Sequence, residues 1–402
     1  MISKRRAPTR PRPPPWASVE VTSRETPALS APRLLFALTS HGLGHLTRSL
    51  ALARELRERV PDLALDIATT VPEERVAVDL APPFGYRPVA YEPGTPQRNA
   101  FELDLPALRE AYARLAAEHD ARLEEELSWL RHSGCCAVVS DIPALPVRAA
   151  ARLGLPAIGV ANFTWDWILE PLLAGTDAAP ALDLLREDYA CGDLHLLLPF
   201  GPASSPFPEC EPAPLIHRRA TLAPEAVRAG LGLPARDERK LVLVCPGGWD
   251  PDGWGAIDVS GCEGMRFVTV GDLPVRAEAP LLALPHALAP GLRFPDLVAA
   301  ADLVLAKPGY GIASECAAHR TALVSIERPL FREAPLLVSA FARLGPGAQM
   351  TLADFFAGRW EPALRSAIAC ATPWSPPPAD AAGQVARRVA ERLGLEMRRA
   401  EG

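Results

Sequence analysis

Two histidines and two glycines stand close together near the start of the chain, in the segment Ser40-His41-Gly42-Leu43-Gly44-His45. Histidine has an unperturbed pKa of about 6.5, so it can accept a proton near neutral pH. Glycine lets a ligand approach the backbone closely, and the amino end of a helix attracts negative charge. The segment therefore predicts proton transfer together with phosphate binding. His45 and His41 are rival candidates for the base, and His41 could instead cap or pack the loop.

A second glycine-rich loop occurs late in the chain, in Lys307-Pro308-Gly309-Tyr310-Gly311-Ile312. Here loop amides and a helix dipole would face a diphosphate. Glu315, expected in the first turn of the following helix, could accept hydrogen bonds from both hydroxyls of a ribose. Lys307 could reach a phosphate. Two plainer interpretations stay open: a glutamate that only complements the helix dipole, and a solvated lysine at the end of a strand.

Both loops are expected to follow a buried strand and to begin a helix. Residues 34–38 form a short apolar run, and the segment 46–60 has apolar residues at spacings of three and four that define one buried helix face. Strand and helix patterns alternate through both halves of the chain, which favours parallel sheets. Such sheets bind ligands at the carboxyl ends of their strands, where both loops are expected.

A proline-rich stretch divides the chain into two α/β halves of similar size. We predict a disordered, basic and proline-rich tail over 1–30, an amino-terminal Rossmann-like domain over 31–198 and a linker over 199–214. A second Rossmann-like domain over 215–378 and a terminal helix over 379–402 complete the predicted organisation.

The 402 residues carry a formal net charge of −6, which gives no reason to expect a nucleic acid as partner. Apolar residues make up 49% and charged residues 22%, values typical of a soluble globular protein. The eight cysteines show no zinc-binding spacing and are expected to be reduced, as in a cytoplasmic protein. No apolar run reaches the roughly 18 residues of a transmembrane helix. Peripheral contact with a membrane stays open.

Four motifs occur in an order that resembles a known family: His41-Gly42-x-Gly44-His45-x-Thr47-Arg48, Val139-Ser140-Asp141, Asn162-Phe163-Thr164-Trp165-Asp166 and Lys307-x-Gly309-Tyr310-Gly311-x-x-Ser314-Glu315. Together they resemble the glycosyltransferase-like amino-terminal half of L-arabinokinases. More distantly, the chain is similar to GT-B glycosyltransferases, such as the N-acetylglucosaminyl transferase of peptidoglycan synthesis and the UDP-glucuronosyltransferases. The resemblance covers about residues 33 to 340.

This resemblance implies an α/β fold of the GT-B type, in which two Rossmann-like doubly wound domains face each other across a cleft. It implies inverting transfer of a sugar from a nucleotide-sugar, expected to be a UDP-sugar, to a hydroxyl-bearing small-molecule acceptor. Neither a metal nor a cofactor besides the donor substrate is expected. The kinase domain that follows this half in arabinokinases has no counterpart in the sequence, so phosphorylation of sugars is not expected.

By the resemblance, His45 is the general base and Asp141 the carboxylate that orients it, although Asp141 could instead be a turn residue. The residues expected to bind the donor are Gly42, Gly44, Gly247, Gly248, Phe294, Lys307, Gly309, Tyr310, Gly311, Ile312, Ser314, Glu315, Arg332 and Glu333. The residues expected on the acceptor side are His41, Asn162, Trp165 and Asp166. Many relatives carry Asp-Gln or Gln-Gln at the position of Arg332-Glu333, so the donor sugar stays open.

Two functions of different classes follow from these residues. One is the inverting, metal-independent glycosyltransferase, and the other is a non-catalytic module that binds a nucleotide-sugar with the same fold. A sugar-nucleotide epimerase is a distant third, because the sequence offers no separate set of acid and base carboxylates. Trp165 and Trp167 could line an acceptor cleft or pack in the core, and Asp166 could substitute for Asp141.

Overall fold

The computed structural model describes residues 31–234, 237–246, 257–259, 261–271, 281–286 and 288–398. The predicted tail over 1–30 and two of the predicted donor-site residues, Gly247 and Gly248, lie outside these residues. The described part of the chain forms two parallel sheets with helices packed against them. The predicted α/β architecture of two doubly wound units is confirmed.

The first half contains a seven-stranded sheet. Its strands are β1 (Arg33–Leu38), β2 (Ala64–Ala68), β3 (Gly85–Arg87), β4 (Ala137–Asp141), β5 (Ala157–Ala161), β6 (Leu194–Leu197) and β7 (Cys210–Pro212). Its helices are α1 (Leu43–Arg59), α2 (Glu73–Asp79), α3 (Leu105–Ser133), α4 (Leu145–Arg152), α5 (Trp165–Leu173) and α6 (Pro180–Tyr189). The strands lie parallel in the order β3-β2-β1-β4-β5-β6-β7.

The second half contains a six-stranded sheet. Its strands are β8 (Lys240–Cys245), β9 (Met265–Val270), β10 (Leu281–Leu284), β11 (Leu303–Ala306), β12 (Ala322–Ile326) and β13 (Gly347–Met350). Its helices are α7 (Pro224–Gly230), α8 (Phe294–Ala300), α9 (Tyr310–His319), α10 (Ala334–Phe341), α11 (Leu352–Phe356), α12 (Glu361–Ala369) and α13 (Ala381–Arg392). The strands lie parallel in the order β10-β9-β8-β11-β12-β13.

The central strand β1 is buried on both faces of its sheet. Leu34, Phe36 and Leu38 belong to one apolar cluster, whereas Leu35 and Ala37 belong to a second. Successive side chains of a strand point to opposite faces, so a strand covered on both sides must be apolar at every position. This explains why the segment reads as a continuous apolar run instead of an alternating one.

The strand order reverses between β1 and β4 in the first sheet and between β8 and β11 in the second. β1 and β4 pair with Leu38 opposite Asp141, and β11 and β8 pair with Ala306 opposite Cys245. Loops that leave the carboxyl ends of such neighbouring strands run to opposite faces of the sheet and open a crevice where ligands bind. Both glycine-rich loops lie at these switch points.

The two halves meet along α1 and α9, and α13 returns from the second half to pack on α1. A Cβ atom built on Gly311 would lie 3.3 Å from the Cα atom of Gly44, so the two glycine-rich loops face each other as expected. The apolar cluster that contains Leu34 also contains Val304 and Val389. One continuous core therefore joins the two halves.

The domain boundaries stay a prediction, with two observations that bear on them. The predicted linker 199–214 includes β7, which forms an edge of the first sheet. The terminal helix α13 packs on the first half. Within the described residues, no helix combines the length and the apolar character needed to cross a membrane.

Candidate active site between the two halves

His45 and Asp141 lie together at the carboxyl edge of the first sheet. His45 is the third residue of α1, and Asp141 is the last residue of β4, which pairs with β1. The Nδ1 atom of His45 lies 3.0 Å from Oδ1 of Asp141, and both residues are buried. Gly42 precedes α1 with a φ of 88°, a conformation that favours glycine and turns the chain into the helix. The predicted pair is therefore in hydrogen-bond contact.

Arg48 is a member of this site for which we predicted no role. Its Nε and Nη2 atoms donate to the two carboxylate oxygens of Asp141 at 2.7 and 2.6 Å, and Nη1 donates to Oδ1 of Asn162 at 2.7 Å. The hydroxyl of Ser49 donates to the same carboxylate at 2.6 Å. Arg48 stands in the first motif, three residues after His45, so its position on the same helix face was readable from the sequence.

The charges of Arg48 and Asp141 hold each other ionised. Burial alone would raise the pKa of Asp141, but Arg48 and then His45 outweigh it and keep that pKa well below its usual range. Burial alone would lower the pKa of Arg48, but the Asp141 carboxylate raises it above its ordinary value. Asp141 is therefore a carboxylate at neutral pH, with most of its acceptor capacity already used.

The tautomer of His45 depends on this network. Nη2 of Arg48 lies 2.8 Å from Nδ1 of His45, close to the 3.0 Å contact of the same nitrogen with Asp141. If Nδ1 carries the proton, it donates to Asp141 and leaves Nε2 free to act as a base. If Nδ1 accepts from Arg48, the proton is on Nε2 and the ring cannot act as a base there. Arg48 and Asp141 thus compete for one nitrogen.

Arg48 also connects the site to the second half. Its guanidinium lies 4.4 Å from the ring centroid of Tyr310, the first residue of α9. The Tyr310 hydroxyl accepts a hydrogen bond of 3.0 Å from the backbone of Ile216, and burial raises the pKa of this tyrosine. Tyr310, predicted to bind the donor, is therefore a buried contact between the halves, which holds the two loops together.

The structure corrects the expectation for Glu315. Because α9 begins at Tyr310, Glu315 lies in the second turn of the helix, and the predicted first-turn position is wrong. Its carboxylate is buried and accepts a 2.7 Å hydrogen bond from Nε of Arg218, whose Nη1 lies 3.5 Å from Asp79. Burial opposes the charge of Arg218, but the two carboxylates raise its pKa. Contact between Glu315 and a ribose would require Arg218 to share the carboxylate or to move.

The other residues predicted on the donor side take different positions. Ser314 donates to the carbonyl of Gly311 at 2.8 Å and so turns back to its own helix. Ile312 and Phe294 are half-buried against the shared core. Gly309 is the N-cap of α9, in an extended conformation with open space where a Cβ would lie. Gly309 is thus the member of this loop that a ligand can approach most closely.

Arg332 is directed at the first half. Its Nη1 atom donates to the carbonyl of Trp167 at 2.5 Å and to the carboxylate of Glu170 at 3.0 Å, and its guanidinium lies 4.5 Å from the centroid of the Trp167 ring. Both partners belong to α5. Arg332 therefore joins the halves, whereas its neighbour Glu333 forms no ion pair with the described residues. The predicted contact of both with the donor sugar stays a prediction.

On the acceptor side, His41 is part of the loop packing. Its Nε2 atom lies 2.7 Å from the hydroxyl of Thr95, and its ring meets Trp165 edge-on with centroids 5.7 Å apart. Burial lowers the pKa of His41 to about 3, and the neighbouring basic side chains act in the same direction. His41 is therefore neutral, and the cap-or-pack interpretation describes it better than the base.

The remaining acceptor-side residues surround buried polar atoms that lack partners. Trp165 is only 1% exposed, and Asp166 has its nearest cation, Arg186, at 3.7 Å. Glu92, which the sequence analysis missed, lies nearby, and burial raises its pKa to about 6. Among the described residues, the buried side-chain atoms without a hydrogen-bond partner include the Tyr112 hydroxyl and Nδ2 of Asn162. These atoms could bind hydroxyl groups of a polar ligand or water.

Comparison with solved structures defines the class of fold. The chain matches a UDP-glucosyltransferase of Polygonum tinctorium, described as capable of glucosylating indoxyl, with a TM-score of 0.56, 15% identity and coverage of 91% of this chain and 99% of that one. It matches the calicheamicin glycosyltransferase CalG4 with a TM-score of 0.55, 18% identity and coverage of 91% and 94%. These likenesses show that the fold is GT-B, as predicted.

Sequence comparison adds two relatives, whereas no family model matches the chain. The chain is 30% identical over 359 residues to L-arabinokinase of Arabidopsis thaliana, covering 87% of this chain and 34% of that protein. It therefore spans about a third of the length of this relative, to whose amino-terminal region it is homologous. An uncharacterized glycosyltransferase of Methanopyrus kandleri is 26% identical over 281 residues, with coverage of 66% and 78%. The predicted resemblance to both groups is confirmed.

Proposed function

We propose that this chain is a glycosyltransferase that moves a sugar from a nucleotide-sugar to a hydroxyl acceptor, with inversion at the anomeric carbon. The observation that carries the proposal is the buried 3.0 Å contact between His45 and Asp141, near the place where α1 and α9 meet. The GT-B fold and the glycosyltransferase among the relatives support the same class. UDP is the proposed nucleotide, because the Polygonum tinctorium neighbour is named as a UDP-glucosyltransferase.

The proposed step is a single displacement. Nε2 of His45 takes the proton of the acceptor hydroxyl while Nδ1–H donates to Asp141, which stabilises the imidazolium that forms. The acceptor oxygen bonds to the anomeric carbon from the side opposite the leaving group. The bond between that carbon and the phosphate oxygen breaks, and the nucleoside diphosphate leaves with the electron pair. One such displacement inverts the configuration.

The proposal includes independence from metal ions, which comes from the resemblance. Without a metal ion, charge on the departing diphosphate would be stabilised by the amino ends of α1 and α9 and by the ammonium of Lys307. A helix end contributes only about 0.3–1 kcal/mol where solvent reaches it, so several such groups must act together. Turnover that is unchanged after EDTA treatment would support this part, and turnover that requires added Mg²⁺ or Mn²⁺ would contradict it.

A second candidate function is a module that binds the donor without turning it over. The observation that favours it is the 2.8 Å contact between Arg48 and Nδ1 of His45, which supports the tautomer that cannot act as a base. The pairing of Glu315 with Arg218 points in the same direction, since a paired carboxylate is less available to a substrate. Both candidates predict donor binding, but only the enzyme needs His45.

The test compares wild type with His45→Gln, using UDP-glucose and UDP in calorimetric titrations and UDP-glucose hydrolysis as the rate. If the chain is an enzyme, His45→Gln should lower the hydrolysis rate by a factor of about 10²–10⁴, the usual contribution of a general base. The affinity for UDP should stay within about threefold of wild type. His132→Gln, at an exposed position near the end of α3, is the matched control.

The outcomes separate the two functions. Tight binding of UDP-glucose with no hydrolysis, and no transfer to any of a panel of sugar and phenol acceptors, would identify the binding module. Hydrolysis that survives His45→Gln unchanged would eliminate this histidine as the base. Retention of configuration at the anomeric carbon, read by proton NMR of the first product formed, would contradict the single displacement.

A further inference from the structure

Arg328 carries a buried charge that the proposed mechanism does not use. It follows β12 and reaches across to the first half, where Nε donates to the carbonyl of Ala100 at 3.3 Å and Nη2 donates to Oε1 of Gln97 at 3.2 Å. Its guanidinium lies 3.3 Å from the centroid of the Phe331 ring, and the residue is only 9% exposed. Within the described ranges, no carboxylate lies at ion-pair distance from Arg328.

Two other basic side chains lie near Arg328. Gln97 connects the first of them, since its Nε2 atom lies 3.5 Å from Nε2 of His41. Lys307 follows β11, whose last residue Ala306 is paired with Ser325 of β12. Burial and repulsion by Arg328 lower the pKa of Lys307 to about 7. Arg328 and Lys307 therefore share one part of the cleft, beside the neutral ring of His41, and neither forms an ion pair with a carboxylate in the described part of the chain.

Beside Arg328 lies a cavity of about 550 Å³ between α5 and the segment 327–335. Its lining includes Pro308 after β11, Arg328 after β12 and Gln349 within β13, so it covers the carboxyl ends of three neighbouring strands. This edge of a parallel sheet is where such folds bind ligands. The acidic residues in the lining do not neutralise Arg328, because Glu170 is paired with Arg332 and Glu327 is exposed.

A guanidinium held out of water without an anion is unfavourable, because backbone and amide oxygens replace its hydration only in part. Glu333 contributes an attractive field at Arg328 and Lys307 but forms no hydrogen bond to either among the described residues. An anionic group of a ligand in the cavity would complete the coordination of Arg328, and a guanidinium binds a carboxylate through two parallel hydrogen bonds.

We propose that Arg328 forms a subsite for a carboxylate on the transferred sugar, so that the donor is a nucleotide-activated sugar acid. The inference rests on the proposed function, because it names the substrate class of the same cleft. The diphosphate belongs at Gly309, where α9 begins with open space beside the backbone. Arg328 follows the next strand of the sheet and lines the cavity that the sugar would occupy.

The test is calorimetric titration of the full chain with UDP, UDP-glucose and UDP-glucuronate. Charge-assisted hydrogen bonds predict that wild type binds UDP-glucuronate about 10- to 150-fold tighter than UDP-glucose. Arg328→Gln should remove this preference while the affinity for UDP stays within about threefold. Arg328→Lys keeps the positive charge but loses the two parallel N–H donors of the guanidinium, so it should retain part of the preference.

Arg343→Gln is the matched control, because it removes an exposed arginine of the same half whose hydrogen bond goes to the carbonyl of Ser339. It should leave the preference intact. Equal affinity of wild type for the two sugar nucleotides would overturn the subsite. An equal loss of UDP and UDP-glucuronate affinity in Arg328→Gln would assign Arg328 to the diphosphate instead, which also overturns it.

Failure of the proposed function is recognised separately. If UDP, UDP-glucose and UDP-glucuronate all fail to bind, the proposed donor class is wrong. Ligand-observed NMR with free D-glucuronate and D-glucose then decides on the subsite alone. Selective binding of glucuronate that Arg328→Gln abolishes would support it, and the absence of selectivity would overturn it.

Discussion

At the scale of single residues, the ion pair between Arg48 and Asp141 dominates the electrostatics of the site. The two side chains are 3% and 2% exposed, and their closest atoms lie 2.6 Å apart. Taking two charges out of water is expensive, so a pair of this kind is stable mainly because each charge requires the other. Asp141 can therefore orient His45, but its charge is already balanced by Arg48.

Removal of one partner of this pair should be strongly destabilising. Arg48→Met would leave the Asp141 carboxylate buried without its cation, and it should lower the free energy of unfolding by about 3–5 kcal/mol in urea titrations. Asp141→Leu combined with Arg48→Met should recover part of that loss. Arg114→Met, at an exposed pair with Glu110, is the control and should change stability by less than about 1 kcal/mol. A double variant less stable than Arg48→Met would contradict this account.

A second expectation concerns Lys307, whose pKa is lowered to about 7 by burial and by Arg328. The ammonium is present below pH 7 and is lost as the pH rises through this value. The affinity for UDP should therefore fall by up to about tenfold per unit above pH 7, in titrations between pH 6 and 9. Lys307→Met should bind UDP weakly and without this pH dependence, whereas Lys240→Met, an exposed lysine, should behave as wild type. A flat profile in wild type would exclude Lys307 from the diphosphate site.

The sequence indicated the chemistry of the site better than it indicated which side chains contact each other. The pairing of His45 with Asp141 was expected from the resemblance, and the structure brings them together. The partner of Glu315 is Arg218, which lies 97 positions away in the sequence and has no motif of its own. Such a contact arises from the packing of two distant segments, so neither spacing nor composition could indicate it. The wrong helix turn assigned to Glu315 has a simpler cause, since propensity does not fix where a helix begins.

At the scale of elements, the two faces of α1 have different roles. Leu46, Leu50 and Ala53 pack into the apolar cluster, and this face was readable from its spacing. The other face presents His45 and Arg48 to Asp141. Positions three apart lie on the same side of a helix, so the geometry follows once the helix is known. Buried central strands such as β1 were equally predictable because parallel sheets bury continuous apolar segments. The short edge strands β3 and β13 were missed, and β7 fell inside a predicted linker.

The packing of α13 on α1 gives an expectation at this scale. Val389 is fully buried in the shared cluster, and its truncation leaves a cavity between the two helices. Val389→Ala should lower the free energy of unfolding by about 1–3 kcal/mol, measured by urea denaturation. Glu391→Ala, two residues away and exposed, should change it by less than about 0.5 kcal/mol. A loss below about 0.5 kcal/mol in Val389→Ala would show that the packing of α13 contributes little to stability.

At the scale of the whole molecule, three arginines tie the halves together across the cleft. Arg332 binds Glu170 of α5, and Arg293 and Arg218 bind Asp79 of α2. Asp79 is buried, and although burial opposes its charge, Arg218 and the neighbouring arginines lower its pKa below the usual value. These contacts would have to break for the separation of the two halves to change.

The acid stability of the molecule depends on buried histidines such as His195, which is 1% exposed. Burial lowers its pKa to about 4. Between pH 6.5 and 4, His195 is protonated in the unfolded chain but not in the folded chain. The free energy of unfolding therefore falls by up to about 1.4 kcal/mol for each unit by which the pH is lowered in this range. Above pH 6.5 the group makes no contribution to the slope.

His195→Asn should therefore flatten the decline of stability between pH 6.5 and 4 by about one proton, as measured by urea denaturation at each pH. His132→Asn, at an exposed position, should reproduce the wild-type slope. A His195→Asn profile parallel to that of wild type would mean that another group controls the acid response.

The return of α13 to α1 has a consequence for biosynthesis. During translation the first sheet emerges long before residues 381–392, so the side of α1 that later packs on α13 has no cover while the second half is still being made. Domains of nascent chains usually fold in order from the amino terminus, and uncovered apolar surface at that stage favours aggregation or chaperone binding. For this chain, completion of the core around α1 waits for α13 to leave the ribosome.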